Sequence, residues 1–79
     1  MQRLGKILHT SKGDLIAQAE KRAPKLGARV YDHQNKLIGR VSDIFGPTSA
    51  PYIAIKPVSD ISPHNIAELV DKEAYIEGG

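Results

Sequence analysis

Short apolar segments, each ended by Gly or Pro after roughly ten residues, form the main pattern along this chain. The segments are rich in Val, Ile and Tyr and are too short to build a helical face of period 3.6. Such segments are typical of β-strands linked by turns. The pattern predicts six strands, at residues 3–9, 14–20, 29–32, 37–45, 52–56 and 74–76.

The residues between the predicted strands are those that turns require. Gly13, in the segment between the first two strands, can take positive φ and so can close a hairpin. Pro24 and Gly27 indicate a turn that enters the third strand, with Gly27 in the left-handed region. Asn35 also tolerates that region and predicts a second hairpin turn at residues 33–36.

Six short strands in 79 residues are too many for a flat open sheet with its own core. Closing the sheet removes its edges and gives the strands a shared interior. We therefore predict an all-β fold, a small six-stranded antiparallel β-barrel that forms a single domain over residues 1–79. Ser62 and Pro63 predict the capped start of a helical turn extending over residues 65–70, which we expect to decorate the barrel.

Both faces of the predicted fourth and fifth strands carry apolar side chains. By the two-residue period of a strand, Val41 and Phe45 share one face, and Ile38 and Ile44 share the other. A small barrel has only one dry side. The apolar residues on its outer side must therefore lie under loops or form a surface for a partner.

The loop between these two strands favours the partner surface. It begins with Gly46-Pro47 and ends with Pro51, so proline stiffens both of its ends, and Phe45 and Tyr52 flank it. A stiff loop with flanking aromatic rings suits docking. It offers no obvious nucleophile, base or metal ligand.

The composition is that of an ordinary globular domain, with 41% hydrophobic and 25% charged residues. The absence of cysteine excludes disulfides and thiolate zinc sites, and it fits a reducing compartment. The apolar runs are far shorter than a membrane span needs, and the first residues are too charged for a signal-peptide core. We expect a soluble cytoplasmic protein without a membrane partner.

Charge is unevenly distributed, although the net charge is only +2. Residues 1–29 carry seven Lys and Arg against two acids, whereas residues 58–79 carry one against five. The two ends could lie side by side and neutralise each other, or the basic end could contact phosphates. The basic residues that would then lie near RNA are Arg3, Lys6, Lys12, Lys21, Arg22, Lys25 and Arg29.

Catalytic and metal-binding patterns are missing from the sequence. His9, His33 and His64 lack the short spacing of a metal site, and no nucleophile elbow, phosphate-binding loop or dinucleotide fingerprint occurs. We expect no enzyme activity, cofactor, metal or small-molecule substrate. Tyr31, between Arg29 and His33, is the best candidate for a base-stacking platform, but packing against a neighbouring strand is the interpretation that we favour.

Three segments resemble the glycine-arginine-rich-type (Gar-type) subunit of the H/ACA ribonucleoprotein, in its short archaeal form. They are residues 3–9, residues 24–32 and, most specifically, the run from Ile38-Gly39-Arg40-Val41 through Phe45-Gly46-Pro47 to Pro51-Tyr52 and Pro57. The Arg-Gly tails of eukaryotic members are missing from this sequence, so RNA binding through such tails does not carry over.

The resemblance implies a barrel like the second domain of elongation factors, which docks on the pseudouridine synthase catalytic subunit in the archaeal cell. It further implies a non-catalytic role in substrate placement and product turnover during rRNA pseudouridylation and ribosome biogenesis, with guide RNA and substrate rRNA met indirectly. The docking residues predicted on this basis are Ile44, Phe45, Gly46, Pro47, Pro51, Tyr52 and Ile53.

Two other interpretations stay open. Residues 27–32 and 38–41 are also similar to PRC-type barrels, which would make the chain a protein-binding module of a ribosome maturation factor. The Phe45-Gly46-Pro47 loop is not part of the PRC pattern. The second interpretation is a small barrel that binds RNA directly through its basic residues, which would show a steep salt dependence.

Overall fold

The computed structural model describes residues 2–20 and 23–77 of the chain. Six strands close into a barrel, and each pairs antiparallel with its neighbours in the order β1-β2-β5-β4-β3-β6. The elements are β1 (Gln2–Ser11), β2 (Asp14–Ala19), β3 (Arg29–Tyr31), β4 (Leu37–Phe45), β5 (Tyr52–Pro57), α1 (Pro63–Glu68) and β6 (Glu73–Ile76). The predicted fold class is confirmed.

The turns adopt the conformations that their residues favour. Lys12 and Gly13 both have positive φ, 52° and 88°, and they join β1 to β2 where Ser11 pairs with Asp14. Two successive residues with positive φ match the right-handed twist of the strands that they connect. Gly27, at φ 83°, and Asn35, at φ 66°, take the left-handed region as predicted.

The barrel interior is filled by aliphatic side chains from all six strands. Ile7, Leu15, Ile53 and Ile55 are fully buried. Among the described residues, the core cluster comprises Leu4, Ile7, Leu15, Ala17, Ala19, Val30, Ile38, Val41, Ile53, Ile55 and Ala74. Because the side chains alternate along β5, its residues Tyr52 and Lys56 face outward.

The face prediction for β4 is wrong because a bulge interrupts the two-residue period. Val41 pairs with Ile55 and Asp43 pairs with Ala54, so Ser42 is an extra residue. Beyond the bulge the faces exchange: Ile44 packs against the core together with Val41, while Phe45 lies outside. The sequence around Ser42 contains no residue type that predicts this bulge.

The helical turn is more than decoration, contrary to the prediction. Ser62 caps α1 by accepting a hydrogen bond from the backbone N–H of Asn65 at 3.2 Å, and Pro63 stands in the first turn. The half-buried Ile61, Ile66 and Leu69 pack against the core. The segment therefore covers apolar core residues that would otherwise be open to water.

Within residues 2–20 and 23–77, no helix has the length and apolar character that a membrane span requires.

Barrel closure requires a close approach between β1 and β2 at Gly5. A Cβ added at Gly5 would collide with the backbone carbonyl oxygen of Gln18 on β2, and its φ of 157° is one that other residues rarely adopt. Bulges lie on both sides of this glycine, between Arg3 and Gly5 opposite β6 and between Ile7 and His9 opposite β2. Strand β1 can thus bend and pair with two neighbours.

We predict that Gly5→Ala lowers the free energy of unfolding by at least about 2 kcal/mol, because backbone strain adds to a backbone clash. Gly13→Ala is the matched control. Gly13 also has positive φ, but an added Cβ there meets no atom within 4 Å, so we expect a loss of about 1 kcal/mol. Urea denaturation of both variants measures the difference, and equal losses would contradict a packing role for Gly5.

Candidate functional site

Two aromatic rings lie side by side on the outer surface where β4 ends and β5 begins. Phe45 and Tyr52 are direct partners in the β4–β5 register. Their ring centroids are 5.6 Å apart with an interplanar angle of 26°, a stacked arrangement. Phe45 remains 45% exposed, an unusual state for so large an apolar side chain, and Tyr52 is half-buried. The pair offers an apolar platform with one hydroxyl group.

The loop beside the rings is held in place by backbone geometry and by β2. Gly46 has φ 86°, and a Cβ there would come within 2.7 Å of Cδ2 of Tyr52. The backbone therefore approaches the tyrosine ring as closely as only glycine allows. At the other end of the loop, the side-chain amide of Gln18 donates to the carbonyl of Ala50 at 3.1 Å.

The apolar surface extends from the aromatic pair across β2 to β1. A shallow pocket of about 400 Å³ is lined by Leu8, His9, Ser11, Ile16, Phe45 and Tyr52. Leu8 is the extra residue of the second β1 bulge. Ile16, between the core residues Leu15 and Ala17, lies on the outer side of β2 but is only 7% exposed. We call Leu8, Ile16, Phe45 and Tyr52 the outer apolar patch.

Sequence reasoning missed the β1 and β2 part of this patch. Ile16 could have been found, because Leu15, Ile16 and Ala17 are three successive apolar residues in a strand and one of them must face outward. Leu8 could not have been found in the same way, since its position depends on a bulge.

The predicted docking residues divide into exposed and buried ones. Phe45, Gly46 and Pro47 are exposed. Ile53 is 0% exposed and belongs to the core, so its side chain cannot reach a partner while the barrel is closed. Pro51 is also buried, and its carbonyl accepts from the backbone N–H of Ala19 at 2.8 Å. Ile44 is half-buried against the core.

The basic N-terminal strand is neutralised by the acidic end of the chain. Nε of Arg3 lies 2.6 Å from Oε2 of Glu73 and 3.0 Å from Oε1 of Glu20, and these contacts hold the pKa of Arg3 above its usual range. Nζ of Lys6 lies 3.9 Å from Oδ1 of Asp71. Of the two arrangements considered for the charged ends, the side-by-side one is observed at Arg3 and Lys6.

The other predicted RNA-proximal residues do not form one cluster with these. Lys12 lies in the β1–β2 turn, Lys25 in the loop before β3, and Arg29 on β3, and all three are exposed. Lys21 and Arg22 lie outside the described residues. Of the basic residues predicted from the first part of the sequence, Arg3 and Lys6 therefore have acidic partners, and the other described ones lie on different elements.

Tyr31 is engaged within the fold. Its hydroxyl donates to Oε1 of Glu77 at 2.7 Å, and its direct cross-strand partner is Tyr75 on β6. This arrangement supports packing against a neighbouring strand rather than base stacking. The hydrogen bond to Glu77, followed by burial, raises the pKa of Tyr31 above its usual value.

A second cavity, of about 490 Å³, lies where α1 meets the β3–β4 hairpin. Its most buried polar group, the carboxylate of Asp32, accepts from the backbone N–H groups of Gln34 at 2.8 Å and Lys36 at 2.9 Å. Asp32 thereby builds the hairpin turn. On the helix, Nε2 of His64 lies 3.0 Å from Oε1 of Glu68. These groups satisfy each other, so we assign no ligand to this cavity.

Comparisons with known proteins agree on one family. The family model described as the Gar1/Naf1 RNA binding region matches residues 1–78. A protein of uncharacterized function from Methanothermobacter thermautotrophicus is 46% identical over 77 residues, which cover 96% of this chain and 83% of that protein. A second such protein, MJ0782.1 from Methanocaldococcus jannaschii, is 49% identical over 72 residues, covering 87% and 86%.

More distant relatives carry functional names. The H/ACA ribonucleoprotein complex subunit GAR1 of Botryotinia fuckeliana is 32% identical over 59 residues, which cover 73% of this chain but only 27% of that longer protein. Among solved structures, the Gar1 domain of Naf1 superposes with a TM-score of 0.75, covering 95% of this chain and 79% of that one. At 24% identity this similarity supports the barrel fold alone.

We predict that Glu77→Gln lowers the pKa of Tyr31 toward its ordinary value, since the carboxylate is the main cause of the increase. In the wild type the folded state binds the phenolic proton more tightly than the unfolded state does. Stability should therefore fall as the pH rises through the raised pKa of Tyr31, and less so in the variant. NMR titration of ring-labelled tyrosine tests this. An unchanged Tyr31 titration in the variant would contradict the assigned hydrogen bond.

Proposed function

The chain belongs to the Gar1/Naf1 RNA binding region family, and we propose that it is a non-catalytic accessory subunit of an H/ACA ribonucleoprotein. Its proposed partner is the pseudouridine synthase catalytic subunit of that complex, and its proposed docking surface is the outer apolar patch with the adjoining Gly46-Pro47 loop. The fungal relatives named as GAR1 subunits of this complex support the assignment.

The exposed stack of Phe45 and Tyr52 is the observation on which the docking proposal rests. Burying an aromatic side chain in an interface gains more than burying most others, and such residues dominate binding energies. The core does not use these two rings, because the barrel interior is already filled by aliphatic side chains. A partner that covers them would remove apolar area that the fold leaves in water.

The rigidity of the loop supports docking as well. Close packing of Gly46 against the ring of Tyr52, fixed φ at Pro47 and the hydrogen bond that the side-chain amide of Gln18 donates to the carbonyl of Ala50 hold the surface in one shape before binding. A pre-organised surface loses less conformational entropy when it binds, so more of the contact energy remains as affinity.

The proposed effect on the reaction is indirect. The synthase supplies the chemistry, and this chain, when docked, favours one position of a mobile synthase loop that holds substrate RNA. Binding one loop state more tightly than another shifts the population toward that state. This shift would aid substrate placement and product turnover in rRNA pseudouridylation. Through this surface the chain meets guide RNA and substrate rRNA only by way of the synthase.

We predict that Phe45→Ala combined with Tyr52→Ala weakens binding to an archaeal H/ACA pseudouridine synthase subunit by more than about 2 kcal/mol, roughly 30-fold in Kd. Calorimetric titration in moderate salt without RNA measures the affinity. For the wild type we expect one-to-one binding with a negative heat-capacity change, the mark of apolar burial.

Leu26→Ala is the matched control for this experiment. Leu26 is 67% exposed and lies in the loop before β3, outside the outer apolar patch, so its removal should leave the affinity unchanged. Circular dichroism confirms that the variants are folded. If the folded double variant binds with wild-type affinity, the docking surface lies elsewhere on the chain. If the wild type does not bind, the assignment of the synthase as partner is overturned.

A further inference from the structure

Three basic side chains form a row across the outer face of neighbouring strands. Arg29 on β3 lies opposite Arg40 on β4, and Arg40 lies opposite Lys56 on β5. All three are exposed, because the alternating neighbours Val30 and Ile55 point into the core. We call Arg29, Arg40 and Lys56 the basic ladder. It joins residues that are far apart in the sequence.

No member of the ladder forms a salt bridge in the part of the chain that the structure describes, although Arg29 lies beside the hydroxyl of Tyr31, which donates to Glu77. No carboxylate oxygen there lies within 4.0 Å of the side-chain nitrogens of the three residues, in contrast to Arg3 and Lys6 on β1. Like charges at directly opposed positions of two strands destabilise a sheet. An anion placed along the row would relieve this repulsion.

The shape of the ladder fits an extended polyanion better than a single ion. Neighbouring strands lie about 4.8 Å apart, so three of them spread the charges over roughly 10 Å. Arg40 donates from Nη1 to the carbonyl of Gly27 at 3.3 Å, which orients its guanidinium and leaves other N–H donors for a ligand. Two of the three residues are arginines, whose planar fork matches phosphate.

The geometry points to the basic ladder as a binding site for the phosphate backbone of RNA. The family description, an RNA binding region, favours RNA over an acidic protein segment as the occupant. The aromatic residue of β3, Tyr31, has its hydroxyl bound to Glu77 and is paired across strands with Tyr75, so it is engaged within the fold rather than offered to a base. Contacts to phosphate alone position RNA without selecting its sequence. This inference does not depend on the synthase-docking proposal.

The test is fluorescence anisotropy of a labelled 12-nucleotide oligouridine titrated with the full chain at several salt concentrations. Affinity for nucleic acid falls as salt is added. For single strands, each phosphate contact makes the plot of log affinity against log salt concentration steeper by about 0.7. We expect the triple variant Arg29→Gln, Arg40→Gln and Lys56→Gln to reduce the steepness of that plot by about 2. Arg40→Gln alone should lower it by about 0.7, which keeps the test decisive if the triple variant is unstable.

The matched control removes the same net charge elsewhere. Lys6→Gln, Lys36→Gln and Lys72→Gln change three exposed lysines outside the ladder, and we expect the slope to stay close to that of the wild type. The double variant Phe45→Ala and Tyr52→Ala should also keep the wild-type slope, which separates this site from the docking surface. Equal losses in the ladder and control variants, no RNA binding by the wild type, or equally tight binding of a poly-glutamate peptide would each overturn the inference.

Discussion

Closure of the barrel through β1 is the constraint on which the rest of the structure depends. This strand pairs with β2 on one side and with β6 on the other, and it can do so because Gly5 admits a backbone contact and two bulges bend the chain. Closure gives a chain of this size an interior without free sheet edges. It also brings the acidic C-terminal strand beside the basic first strand, so Arg3 and Glu73 meet.

A closed barrel of this size has a small interior, and this small volume explains why apolar side chains also lie on its outer surface. Aliphatic side chains fill the interior, and the segment around α1 adds Ile61, Ile66 and Leu69 to the packing. Apolar residues of β1, β2, β4 and β5 that do not fit inside form the outer apolar patch, in which Ile16 is nearly buried and Phe45 is 45% exposed. The basic ladder occupies the outer face of β3, β4 and β5. The two surfaces differ in chemistry and suit different partners.

Local sequence predicted the strands well because each is short, apolar and bounded by residues with a specific conformational role. Asn35 and Ser62 are examples, one in the left-handed region and the other capping α1. The face of Phe45 could not be predicted, since it depends on the bulge at Ser42. The basic ladder was missed for a related reason. The strand register decides which residues stand opposite each other. That register cannot be read from the positions of Arg29, Arg40 and Lys56 along the sequence.

The measurement that tests the central claim most directly is methyl NMR of the Ile- and Leu-labelled chain, bound to an unlabelled archaeal H/ACA pseudouridine synthase subunit without RNA. The account predicts large shifts for Leu8 and Ile16 of the outer apolar patch and none for Leu26, which is exposed elsewhere. A complex that shifts Leu26 or the isoleucines near α1 and leaves Leu8 and Ile16 unchanged would contradict it.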